Sequence, residues 1–123
     1  MSDSPQPLST GTDLVPAARK EGDAVIAQIR GEIDLHNSPD LRRAILDVLL
    51  AAKPTRLVLN LQQVPYMDSS AIAVLVESLQ KLRKTGGKLC LTNLQPRVKG
   101  LLEIARLDSI FVLAADEAEA LKK

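Results

Sequence analysis

Two hydrophobic rhythms run along the chain. Residues 24–30 (AVIAQIR) place Val25, Ala27 and Ile29 on one side, a period of two that predicts a strand. Gly31 loosens the backbone, and Ile33 and Leu35 continue the apolar pattern. Ser38-Pro39 then reads as a helix start, a hydroxyl cap followed by a proline where its missing N–H is not needed. Leu41, Ile45, Val48 and Leu49 follow at helical spacing, and Pro54 closes that helix. The run RLVLNL at 56–61 has the continuous apolarity of a strand covered on both faces.

The strongest helical stripe is Ile72, Leu75, Leu79 and Leu82 within residues 68–84. Lys81, Arg83 and Lys84 suit the negative end of that helix, and Gly86-Gly87 stops it. Residues 88–92 predict a strand. Pro96 opens a helix carrying Val98, Leu101, Leu102 and Ala105. Residues 110–112 read as a last strand and 116–121 as a last helix. Upstream, residues 12–18 form a weak strand candidate that Pro16 confines to an edge. This alternation predicts an α/β fold: a mixed, mostly parallel sheet of four to five strands with about four helices, its first two strands antiparallel. Residues 1–11 (MSDSPQPLSTG) bury too little to order themselves, so the expected division is a disordered tail over 1–11 and one domain over 12–123.

Composition narrows the function. Aromatics make up 2% of the chain, Tyr66 and Phe111 alone, so the core must be aliphatic and platforms for stacking single-stranded bases are missing. The net charge of +1 gives no direct electrostatic capture of nucleic acid or of an anionic membrane. The single cysteine, Cys90, lies in the apolar run Leu89-Cys90-Leu91 and reads as a buried structural thiol. With no basic-then-apolar leader and no apolar run of spanning length, a soluble cytoplasmic protein is expected. No set of side chains has metal-ligand spacing, and no cofactor is implied.

One strand-to-helix loop carries candidate chemistry: residues 62–70, QQVPYMDSS. Such loops are where α/β folds build sites. Asp68, Ser69 and Ser70 suit a helix start, where free N–H groups seek oxygen acceptors, so simple capping accounts for them. The same position also suits a phosphoserine. A helix N-terminus presents roughly half a positive charge, and a phosphate adds roughly 1.5 to 2 negative charges beside Asp68. The residues alone leave both readings open. His36 is the only histidine, and a Ser70–His36–Asp34 triad is formally possible, but no G-x-S-x-G elbow surrounds Ser70. Arg97, Lys99 and Arg106 form a small basic face, either plain solvated charge or the border of a partner site.

The stretch 60–75, NLQQVPYMDSSAIAVL, resembles the signature segment of STAS domains, and within them the free-standing bacterial anti-sigma factor antagonists. Residues 31–42, GEIDLHNSPDLR, resemble the family's segment before its first helix, and Lys84-Thr85-Gly86-Gly87 before a strand is a further match. The resemblance covers about residues 12–121. It implies a phosphorylation-controlled protein-binding switch, not an enzyme. An anti-sigma factor serine kinase would bind the unphosphorylated form and phosphorylate Ser70, and a PP2C-type phosphatase would reverse it. Asp34, Asp68, Ser69 and Ala71 fall beside the acceptor or on the docking surface, and the protein is expected as a monomer or weak dimer. The family usually has glycine where this chain has Ala71. Two other roles compete: a constitutively binding subunit of a lipid-transport ATPase complex or stress-signalling scaffold, and, more remotely, a serine hydrolase acting through Ser70.

Overall fold

A computed structural model describes residues 5–123. Its elements in chain order are β1 (Gln6–Pro7), β2 (Ala17–Glu21), β3 (Ala24–Arg30), α1 (Ser38–Ala52), β4 (Arg56–Gln63), α2 (Ser69–Lys84), β5 (Lys88–Thr92), α3 (Pro96–Ile104), β6 (Val112–Ala114) and α4 (Glu117–Lys122). All six strands form one sheet in the order β1-β2-β3-β4-β5-β6. β1, β2 and β3 pair antiparallel, and β3 to β6 run parallel. The mixed, mostly parallel α/β architecture with four helices is therefore as the alternation predicts.

The sheet has one strand more than the four to five expected. Gln6 and Pro7 pair with Lys20 and Arg19, and Leu8 N–H donates to the Ala18 carbonyl at 2.8 Å. Composition hides this strand, because two residues held by backbone hydrogen bonds need no apolar side chains. Part of the segment expected as a disordered tail is thus on the sheet edge, while residues 1–4 lie outside the described residues. β2 also starts later than the 12–18 candidate. Pro16 lacks the N–H a ladder uses, and the pairing falls instead on Ala17–Glu21, closed onto β3 through Gly22 and Asp23.

Burial explains the rest of the order. The face of the sheet carrying Val25, Ala27, Ile29, Leu57, Leu59, Leu89 and Leu91 packs into the main core with Leu41, Ile45, Leu75, Leu79 and Leu82 from α1 and α2. The other face holds Ile26, Val58 and Cys90 against Ala120 of α4. Ile26 and Val58 are therefore buried although they point away from the larger core, which is why the central strands read as continuous apolar runs. Cys90 is fully buried, and burial holds its thiol above the usual pKa. Arg19 ties α4 to the sheet by an ion pair to Glu117 at 2.9 Å, and Asn60 donates to the same carboxylate at 2.8 Å.

Leu75 is 1% exposed, at the centre of the face that α2 turns to the sheet. Leu75→Ala is expected to lower stability by about 2–5 kcal/mol. A denaturant midpoint within error of the parent protein would show that this side chain is not core.

Candidate functional site

The site forms where β3 and β4, paired in parallel, release their carboxyl ends side by side. The ladder between them shifts register between Gln28 and Arg30. Gly31 follows in the left-handed region at φ 91°, where only glycine sits without strain, and its N–H still reaches the Gln63 carbonyl at 2.9 Å. Past this turn the two loops stay joined. Ile33 N–H donates to the Tyr66 carbonyl at 3.1 Å, and Asp68 N–H donates to the Ile33 carbonyl at 3.0 Å. The buried side chains of Ile33, Val64 and Met67 anchor both loops to the core.

Asp68 is the N-cap of α2, and its carboxylate holds three groups. Oδ1 accepts from the Ser70 backbone N–H at 2.9 Å and from the Ser70 hydroxyl, while Oδ2 accepts from the Leu35 N–H at 3.1 Å. These donors, the Ser70 hydroxyl foremost, hold the Asp68 carboxyl below the usual carboxylate range. Ser70 is half-buried in the first turn of α2, and Ser69 is exposed. The N–H groups expected to be free are largely engaged: Ser70 N–H by the cap, and those of Ala71 and Ile72 by the Asp68 carbonyl at 3.1 and 3.2 Å. A phosphate on Ser70 would lie against a carboxylate, not in an empty nest of donors.

Asp34 is brought to the same end of the sheet, but its carboxylate turns to its own loop. It accepts from the N–H groups of His36 and Asn37 at 2.9 and 3.1 Å, and Asn37 Oδ1 accepts from Asp34 N–H at 2.8 Å. Asn37, rather than Ser38, is the cap residue of α1, and Ser38 is buried in its first turn. Ala71 is 0% exposed within the main core, so its methyl group faces inward and is not part of the surface around Ser70. His36 is exposed, and among the described residues its imidazole makes no hydrogen bond to Ser70. A Ser70–His36–Asp34 relay is not assembled.

Two features escape the pattern of the sequence. Leu35 does not continue the apolar face begun by Ile33. It is 77% exposed, held out beside the cap through its own N–H. The Arg97 guanidinium lies 4.8 Å from the centre of the Tyr66 ring, which places the basic start of α3 next to the same loop. The only sequence signals were a lone leucine between Asp34 and His36 and a lone tyrosine. Neither has a periodicity to reveal it. Among the described residues no helix is long and apolar enough to cross a membrane, and no group of His, Cys, Asp or Glu is placed to hold a metal.

Asp68→Ala removes the cap and the tie to Leu35, and it is expected to lower the denaturation midpoint at neutral pH. The carboxyl is held below its unfolded value, so its contribution is fully present above about pH 4 and is lost as pH falls through the folded-state pKa. The gap between parent and variant should therefore close in acid. A gap that stays constant between pH 7 and pH 2 would mean that the charged carboxylate is not what stabilises this end of α2.

The family model for the STAS domain matches residues 15–120. The anti-sigma-B factor antagonist of Bacillus subtilis is 36% identical over 101 residues, 82% of this chain and 90% of that protein. A putative anti-sigma factor antagonist from Thermotoga maritima superposes with a TM-score of 0.81 at 24% identity, covering 89% of this chain and 93% of the other. The Bacillus cell fate determinant SpoIIAA in its phosphorylated form superposes at 0.63 with 21% identity over 97% of each chain. Those two solved structures attest the fold. With the family model and the Bacillus subtilis relative beside them, the chain belongs to the STAS domain family, with stand-alone anti-sigma factor antagonists among its homologues.

Proposed function

We propose that this protein is an anti-sigma factor antagonist working in the cytoplasm as a partner switch, with Ser70 as its regulatory phosphoacceptor. In its unphosphorylated form it binds an anti-sigma factor that is also a serine kinase. Phosphorylation of Ser70 ends that binding, and a PP2C-type phosphatase restores it. The observation that carries this reading is the half-buried Ser70 hydroxyl in the first turn of α2, hydrogen-bonded to the Asp68 carboxylate. The names of the relatives support it, as does a structural neighbour described in phosphorylated form.

The local chemistry supplies a mechanism. Asp68 and Asp34 place two carboxylates at this end of the sheet, with the Arg97 guanidinium against Tyr66 of the same loop, while exposed Leu35 offers an apolar contact. In the free form the Ser70 hydroxyl satisfies one oxygen of Asp68. A phosphate in its place removes that donor and sets a second anion against the carboxylate. A partner seated over Leu35, Asp34, Asp68 and Ser69 would then meet a cluster of negative charge that it has to desolvate. The change is one of surface electrostatics, and the helix start keeps its backbone cap from Ser70 N–H. Ala71, buried where the family usually has glycine, acts through the helix: alanine favours that conformation by up to about 1 kcal/mol.

Ser70→Ala is expected to keep the fold and the binding of the kinase while abolishing phosphate incorporation, as read by mass spectrometry after incubation with kinase and ATP. Phosphate mapped to Ser69 instead would reassign the acceptor. Ser70→Asp is expected to weaken kinase binding by about 1–3 kcal/mol in calorimetry. Equal affinity for parent and Ser70→Asp would favour constitutive docking over a switch.

A further inference from the structure

At the opposite end of the sheet, the carboxyl ends of α1 and α2 enclose a second feature that the switch does not use. A cleft of about 620 Å³ opens between them, in the size range of small-ligand sites. Its walls are aliphatic: Leu46, Leu49, Leu50, Pro54 and Leu82. Leu50 is 74% exposed, a large apolar side chain left in water on the cleft wall. Neither of the chain's aromatic residues lines it, so its walls offer no ring to stack on.

Its charge is one-sided. Lys53 and Lys81 line the cleft and no carboxylate does. Among the described residues neither lysine is in an ion pair; Glu77, one turn before Lys81, is held by Arg42 at 2.7 and 2.8 Å and feels the Lys81 charge only at longer range. Two helix carboxyl ends bring roughly one negative charge in total, which two ammonium groups outweigh. Lys53 carries a further mark. It caps α1 in the left-handed region at φ 45°, with its N–H on the Leu49 carbonyl at 3.1 Å, a position that glycine usually fills without strain. A residue with a strained backbone thus contributes a cation to the lining of an aliphatic cleft.

We infer that this cleft between the carboxyl ends of α1 and α2 is a binding site for a free, single-chain aliphatic carboxylate, with the hydrocarbon among Leu46, Leu49, Leu50 and Leu82 and the carboxylate between Lys53 and Lys81. The site precedes β4 and β5, whereas Ser70 follows β4, so the two sit at opposite ends of the strands and stand or fall separately.

The test is titration of the full chain with sodium decanoate below its micelle threshold, followed by amide NMR. Saturable shifts are expected at residues 49–55 and 81–85, with those around Ser70 unchanged. Lys81→Glu should weaken decanoate by at least about fivefold, the loss of one favourable charge contact plus one repulsion. Lys53→Gly separates charge from folding. It relieves the left-handed strain, so the denaturation midpoint should hold or rise while decanoate affinity falls. Decyltrimethylammonium, with the same chain and the opposite charge, should leave these amides unmoved. The inference is overturned if decanoate gives no saturable shifts there, if the cationic analogue binds equally, or if affinity survives both lysine substitutions. Binding only to anionic vesicles, or sedimentation showing that the cleft is filled by a second copy of the chain, would overturn it as well.

Discussion

One carboxylate organises the functional end of this molecule. Asp68 caps α2 through the Ser70 N–H, accepts the Ser70 hydroxyl and reaches across to the Leu35 N–H of the neighbouring loop. Helix start, candidate phosphoacceptor and exposed apolar contact are therefore parts of one hydrogen-bonded unit. The unit has a fixed address because β3 and β4 run parallel and their loops continue pairing beyond the sheet through Ile33 and Met67. A neutral side chain at position 68 could cap the helix, but it could not hold these donors with a charge.

Much of this was legible in the residues. The alternation of strand and helix signals leads to the right fold class, one strand short, because central strands buried on both faces and amphipathic helices leave strong periodicities. The Asp-Ser-Ser helix start was visible for the same reason that any cap is, since its residue types answer a local need for acceptors. What escaped the reading depends on contacts distant in sequence or on the backbone alone. β1 is two exposed residues, Gln6 and Pro7, held by pairing alone, and its partners in β2 are the charged Arg19 and Lys20. Leu35 looks like a continuation of the Ile33 face until the turn at Gly31 and the bond to Asp68 rotate it outward. Ala71 sits next to Ser70 in sequence yet points into the core, because adjacent residues on a helix lie about 100° apart.

The division of labour along α2 follows from the same geometry. Its first two residues, Ser69 and Ser70, are polar and lie beside the loops. Its middle buries Ile72, Leu75 and Leu79, and its last turn carries Lys81, Arg83 and Lys84. The proposed phosphorylation at the start would thus be separated by about 20 Å of helix from the cationic end, at 1.5 Å per residue. That distance exceeds the screening length of roughly 8 Å at physiological salt, so the basic end cannot neutralise a charge added at Ser70. A switch at the helix start acts on its own neighbourhood.

Magnitudes decide what such a switch can alter. α2 is held to the sheet by Ile72, Leu75, Leu79 and Leu82, all buried, each contributing about 1.5–3 kcal/mol of transfer free energy. A phosphate on Ser70 removes one hydroxyl hydrogen bond, worth about 0.5–1.5 kcal/mol, and adds a repulsion that solvent screens at a half-exposed site. The loss is a small part of what anchors the helix, so the fold would survive the proposed modification. At an interface the same charge is treated differently, because a docking partner strips away the water that screens it. The proposed switch therefore has little leverage on the free protein and large leverage on the complex. A regulatory site at a rigid helix start, with its hydroxyl already bonded to a carboxylate, meets that requirement better than one on a mobile loop, where a repelled charge could simply swing away.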